Sequence, residues 1–220
     1  TRSVIEKAGF VPDIKDVKPE LLEDESLSRK EKSEYIGIIK EETNRILNLS
    51  TNMLKLSKLQ NQNRITNKEQ VAVLNQIKKA ITLLEPKWKE KEIIFSINGK
   101  EKYLYVDEEL LFQVWINLID NSIKYSNTNG KIDIDIKEVE STLEVIIKDN
   151  GIGIKEEEKE RIFSRFYQVD KSHSEQGSGL GLAIVKRIVE LSEGNIEIQS
   201  KENKGTKITV KLPINKESNK

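Results

Sequence analysis

Cysteine is absent from this 220-residue sequence, and histidine occurs once, at His173. The first absence excludes a disulfide framework and a thiolate metal site; the second excludes a cage of several imidazoles around a metal ion. No apolar run approaches the roughly 18 to 20 residues that cross a bilayer, and Thr1-Arg2-Ser3-Val4 lacks the apolar stretch of a secretory signal. Charge of one sign is missing as well. The 37 basic and 37 acidic side chains cancel, which argues against a protein that coats a polyanion and so against nucleic acid as a partner. What is present is 36% hydrophobic and 34% charged residues, enough for a modest core beneath much solvated helix surface, in one large domain or two small ones.

Gly9, Pro12 and Pro19 keep residues 1–27 from forming one uninterrupted ideal helix. Ser28-Arg29-Lys30-Glu31 then matches a capping box, in which the hydroxyl and the glutamate each serve a free amide, so a helix is expected over residues 28–61. Within it Ile39, Ile46 and Met53 recur every seven residues, with Leu49 and Leu56 between the later members; this stripe suits a partner helix in a bundle, or a single amphipathic helix lying on its own domain. The polar stretch 61–67 marks a boundary between a helical segment, residues 1–66, and a second domain, residues 67–220. Leu74, Ile77, Ile81, Leu84 and Trp88 predict an amphipathic helix ending within 86–91. Strands are expected at 93–97, 103–106, 131–139, 142–149, 195–200 and 206–212, and a helix opened by Asp107-Glu108-Glu109 at 107–125. The second domain is therefore α+β, a mixed sheet covered by helices on one face.

Three stretches carry chemistry. Asp149-Asn150-Gly151-Ile152-Gly153 ends an apolar strand, where a carboxylate can face a cleft and glycines admit a ligand to the backbone; alone, it also fits an ordinary turn. Gly177-Ser178-Gly179-Leu180-Gly181-Leu182 precedes an apolar-faced helix, so free amides at a helix start could cradle phosphate, or the glycines could be only a hinge. Its spacing is neither the Rossmann fingerprint nor a Walker A loop. On the helix between, Asn117, Asn121 and Lys124 share a face beside Tyr125, among apolar Val114, Trp115, Leu118, Ile119 and Ile123. Asparagine oxygens are hard neutral donors suited to Mg²⁺ alongside phosphate and water, although backbone groups across the sheet could satisfy them equally.

In this order, and with Arg161-Ile-Phe-Ser-Arg-Phe-Tyr-Gln-Val-Asp170 between, the stretches resemble the catalytic ATP-binding domain of bacterial sensor histidine kinases, in the family shared with gyrase, the heat-shock chaperone of about 90 kDa and mismatch-repair ATPases. The resemblance covers about residues 28–213 and implies Asn121 as Mg²⁺ ligand, with Asn117 and Lys124 beside the phosphates of ATP. It implies Tyr125 packed on adenine, Asp149 accepting from the adenine amino group, and Gly151 and Gly153 admitting the base. Amides at Gly177, Gly179, Leu180 and Gly181 would hold phosphate, Phe163 and Phe166 would anchor a lid, and Arg165 would reach the γ-phosphate. ATP-hydrolysing relatives carry a glutamate four residues before the metal-binding asparagine; this sequence has Asn117, a poor general base, which favours transfer to a protein nucleophile. The resemblance further implies a homodimer through the helical segment, a response regulator as partner and a cytoplasmic setting, with the longer parent membrane-anchored. One departure stands out: no histidine, and no His-Glu-x-x-Thr-Pro, occurs in residues 1–27 to accept the phosphoryl group, and His173 lies in the lid segment. A nucleotide-binding signalling module without transfer activity is the alternative that this departure leaves.

Overall fold

The computed structural model describes residues 27–62, 65, 67–168 and 178–214. The described residues divide into two compact units, with the division between Thr51 and Asn52. The segment around Gly9, Pro12 and Pro19, His173, and any helix preceding Ser28 lie outside the described residues.

Helix α1 spans Arg29–Gln60 and starts where the capping box predicts. The Ser28 amide donates to Glu31 Oε2 at 2.8 Å, and the Glu31 amide donates to Ser28 Oγ at 3.3 Å, so two free amides are satisfied reciprocally. Along the helix, Ile36, Ile46, Leu47, Met53 and Leu54 are exposed, whereas Leu56 and Leu59 in the last turns are buried. Those last turns belong to the second unit, where Arg187 Nε and Nη2 donate to the carbonyls of Leu59 and Gln62 at 3.1 and 2.6 Å.

The second unit continues with β1 (Glu69–Ala72), α2 (Val73–Leu83), α3 (Glu85–Glu90), β2 (Ile94–Asn98), β3 (Tyr103–Val106), α4 (Glu108–Tyr125), β4 (Lys131–Val139), β5 (Thr142–Asp149), α5 (Gly181–Leu191), β6 (Asn195–Ser200) and β7 (Thr206–Pro213). The main sheet runs β2-β4-β5-β7-β6; β2 is parallel to β4 and the remaining pairs are antiparallel, the mixed sheet that was expected. Alternation sends Ile132, Ile134 and Ile136 of β4 and Leu143, Val145 and Ile147 of β5 inward, against the buried faces of α4 and α5, which pack side by side. Trp115, Leu118 and Ile119 of α4 and Val185 of α5 are fully enclosed there.

One local expectation is corrected, and one pairing lay outside the sequence reading. The amphipathic segment after residue 73 is two helices: α2 stops at Leu84, and α3 starts with Pro86 in its first turn, where the missing N–H costs nothing. Strand β3 pairs with β1, too short a strand to stand out by alternation, in a separate antiparallel ribbon, while β2 joins the main sheet. A buried amide ties this end to the core: Trp115 Nε1 donates to Gln76 Oε1 at 3.1 Å, and Gln76 Nε2 donates to the Glu108 carbonyl at 2.9 Å.

Candidate functional site

The Asp107 carboxylate caps α4 by accepting from the Leu110 amide at 2.9 Å, which fixes where the helix begins. Its far end meets the C-terminus of β5. There Asp149 is buried, and its Oδ1 accepts from the amides of Gly151 at 3.0 Å and Thr206 at 3.1 Å. The Ser122 hydroxyl also bonds this carboxylate. Burial raises the Asp149 pKa above the ordinary carboxylate value, and the bonds from Gly151, Thr206 and Ser122 offset part of that rise.

Backbone crowding holds this end in place. A Cβ on Gly151 would lie 2.1 Å from the Tyr125 carbonyl oxygen, and one on Gly153, at φ +66°, would lie 2.0 Å from that of Lys201. The Ile152 amide donates to the Tyr125 carbonyl at 3.1 Å, and its own carbonyl accepts from the Asn203 amide at 2.6 Å. Gly205, at φ +86°, closes the other side, with its Cβ position 2.1 Å from the Asp149 carbonyl oxygen. Gly205 and Thr206 were missed in the sequence reading. The only signal was the Asn203-Lys204-Gly205 turn, and nothing in a one-dimensional pattern brings β7 beside the end of β5.

The other end is built from side chains and a loop. Asn117 Nδ2 donates to the carbonyl of Gly181 at 3.4 Å, so the middle of α4 touches the start of α5. Asn121, one turn further along α4, is half-buried, and its side chain has no hydrogen-bond partner among the described residues. Leu180 is fully buried at the N-cap of α5, while Gly179, at φ +66°, accepts from the Phe166 amide at 3.0 Å. Phe166, itself at φ +59°, leaves its ring exposed; Phe163 lies beneath the Lys186 ammonium, 5.9 Å from the ring centre. Tyr125 is 42% exposed, with the Lys124 ammonium 4.9 Å from its ring centre. Arg165 stands apart from this group. Its guanidinium lies on the side-chain amide of Gln60, at the foot of α1. Gly177 falls outside the described residues. No group of three His, Cys, Asp or Glu side chains able to hold a metal occurs among the described residues.

An acidic strand end with glycines packs against the C-terminus of α4, and a glycine loop opens a second helix that touches the middle of α4. The family model described as "Histidine kinase-, DNA gyrase B-, and HSP90-like ATPase" matches residues 106–216, which contain both of these ends. The chain belongs to this family. Among named relatives, it is 35% identical to the sensor histidine kinase WalK of Bacillus subtilis (strain 168) over 83% of this chain and 31% of that protein. It is 36% identical to the sensor protein kinase WalK of Staphylococcus aureus over 82% of this chain and 44% of that protein. The chain thus spans between about a third and a half of the length of these relatives. Among solved structures, the catalytic domain of histidine kinase ThkA is similar at 28% identity with a TM-score of 0.61, over 68% of this chain and 97% of that one. ThkA in complex with response regulator protein TrrA is similar at 26% identity with a TM-score of 0.72, over 89% of this chain and 55% of that one. Within the family's matched span lie all the site residues predicted from sequence, from Asn117 to Gly181. No described helix is long and apolar enough to cross a membrane.

Proposed function

We propose that this chain is the ATP- and Mg²⁺-dependent core of a protein-histidine kinase in a two-component pathway, passing the γ-phosphoryl group of ATP to a histidine and onward to a response regulator. The observation that carries the reading is the Asp149 carboxylate, buried at a strand end, held by two backbone amides and faced by a glycine stretch with no room for side chains. Such a fixed acceptor suits the exocyclic amino group of adenine, and a hydrogen bond to a charged carboxylate contributes about 1.5 to 3 kcal/mol. Tyr125 stacks on the base; Gly151 and Gly153 let it approach; Asn117 and Lys124 line the phosphates, with amides from Gly177 through Gly181 around them.

Mg²⁺ fits the donor set. With no acidic cluster available among the described residues, the Asn121 oxygen is the protein donor best suited to an ion that completes its shell with phosphate oxygens and water. When bound, the ion neutralises phosphate charge. The protein's own share is positioning. Asn117 lacks the basicity to activate water, which favours attack by an imidazole nitrogen on the γ-phosphorus. The bond to the bridging oxygen breaks, ADP leaves with the electron pair, and the imidazole proton passes to solvent. Phe163 and Phe166 anchor a lid, and Arg165 reaches the γ-phosphate only after leaving Gln60. Residues 67–220 form the nucleotide domain and residues 1–66 the dimerising helical segment; the exposed Ile46 and Met53 support a homodimer by leaving an apolar stripe on α1.

The test is incubation with γ-labelled ATP, Mg²⁺ and a histidine-bearing helical-bundle fragment. Acid-labile label on the fragment is expected. Binding without transfer turns the reading toward a signalling module, and steady phosphate release without protein labelling overturns it in favour of an ATPase.

A further inference from the structure

Lys91 lies at the C-terminus of α3, 26 residues before Asn117 and outside every motif discussed so far. Its ammonium donates to three carbonyls at once: Ile123 at 3.0 Å, Lys124 at 2.6 Å and Ser126 at 3.0 Å. Those carbonyls belong to the last turn and C-cap of α4, where the negative end of the helix dipole points; Ile123 also accepts from the Ser126 amide at 3.3 Å, and Lys91 supplies a donor to all three. An ammonium has three donors and no acceptor, so its valence matches three converging oxygens. The remaining carbonyl of the run, Tyr125, accepts from the Ile152 amide at 3.1 Å. All four consecutive carbonyls, 123 to 126, are therefore held, three from the α3 side by Lys91 and one from the glycine stretch after Asp149. The backbone of Lys91 is anchored too, its carbonyl accepting from the Asn129 amide at 2.8 Å. Burial lowers the Lys91 pKa, which fits an ammonium desolvated among carbonyls.

We infer that Lys91 is a positioning residue for the base end of the cleft, setting the backbone of Lys124 and Tyr125 against the Asp149 to Gly153 stretch. The crowding makes this consequential. The Tyr125 carbonyl oxygen sits 2.1 Å from the place a Gly151 Cβ would occupy, so a small displacement of the helix end alters the gap into which a purine would pass. The inference rests on the nucleotide-binding reading above.

Its test uses the whole chain with Mg²⁺ and ATP. Lys91→Met keeps the aliphatic stem and removes the three donors. ATP affinity by calorimetry, at a temperature where the variant is folded, should fall about tenfold, a loss of the size that misplacing a binding group by a fraction of an ångström produces. Amide resonances of residues 123–126 and 151–153 should shift while those at the far ends of β6 and β7, residues 195–197 and 209–212, stay put. Lys91→Arg, which keeps the charge and several donors, should recover part of the affinity. Leu143→Ala, at the end of β5 remote from Asp149, supplies a variant destabilised without touching the site, and its affinity should match the parent's. A folded Lys91→Met binding within about twofold of the parent overturns the positioning role. Should Lys91→Met fail to fold, Lys91→Gln and Lys91→Arg decide: equal affinity in both and the parent overturns the inference, graded loss supports it. A parent that binds no nucleotide overturns the underlying reading and this inference with it.

Discussion

The two ends of the site along α4 are made of different material. Around Asp149 the walls are backbone: carbonyls of Tyr125, Lys201 and Asp149 press within about 2 Å of where side chains would start on Gly151, Gly153 and Gly205. Around Asn117 the nearest atoms to a Cβ on Gly181 belong to the Asn117 side chain, 3.6 Å away, which is ordinary contact. The first end is crowded by backbone at all three glycines, as suits recognition of one rigid ring; at the second, Gly179 is crowded by the Phe166 backbone at 2.7 Å, and only Gly181 faces a side chain that can rotate, which leaves room beside a phosphate chain.

The largest expected effect breaks the rigid end. Gly151→Ala forces a methyl into the Tyr125 carbonyl and should cost about 3 kcal/mol or more in melting experiments, with nucleotide affinity lost by about a hundredfold or more. Asp149→Asn separates binding from folding. The amide oxygen can still accept from Gly151 and Thr206, so ATP affinity should fall at least about tenfold while thermal stability holds or rises. Because burial raises the native pKa of Asp149, the folded chain holds this proton longer than the unfolded one. This group's contribution to stability therefore decreases as pH climbs from the ordinary carboxylate range through the raised native value, and Asp149→Asn should abolish that slope in a pH series of melts. Arg187→Ala removes the side-chain donor to the carbonyls of Leu59 and Gln62, and denaturant melts should report a loss of about 1 to 2 kcal/mol. The forgiving end should show the smallest effect: Gly181→Ala, at the first position of α5, should alter stability by about 0.5 kcal/mol or less and leave ATP affinity within about threefold. An affinity loss for Gly181→Ala as large as that for Gly151→Ala would erase the contrast between the ends.

Much of this architecture was legible because local signals agreed. Alternation of isoleucines with polar residues marked β4 and β5, Asn129-Gly130 marked the turn before them, and Asp107 marked the start of α4 so well that Asn117, Asn121 and Lys124 could be put on one face. The unread parts are long-range. Glu69–Ala72 has one buried residue in four, and its strand character exists only through pairing with β3. Thr206 acts on Asp149 across a strand pair 57 residues apart, and Lys91 acts on α4 across 32 to 35. Arg165 was assigned by motif alone, and its guanidinium rests on Gln60, a contact between residues 105 positions apart that no local pattern announces.

The enclosed indole of Trp115, hydrogen-bonded to Gln76, has a further use. The other tryptophan, Trp88, packs edge-on against Phe95 in the same unit, and none occurs in residues 1–60. Tryptophan emission, excited at wavelengths where Tyr35 of α1 does not absorb, therefore watches one unit only, while far-ultraviolet dichroism also records the 32 residues of α1. Disagreement between those two optical signals on heating would be the signature of a long helix that frays before the domain behind it opens.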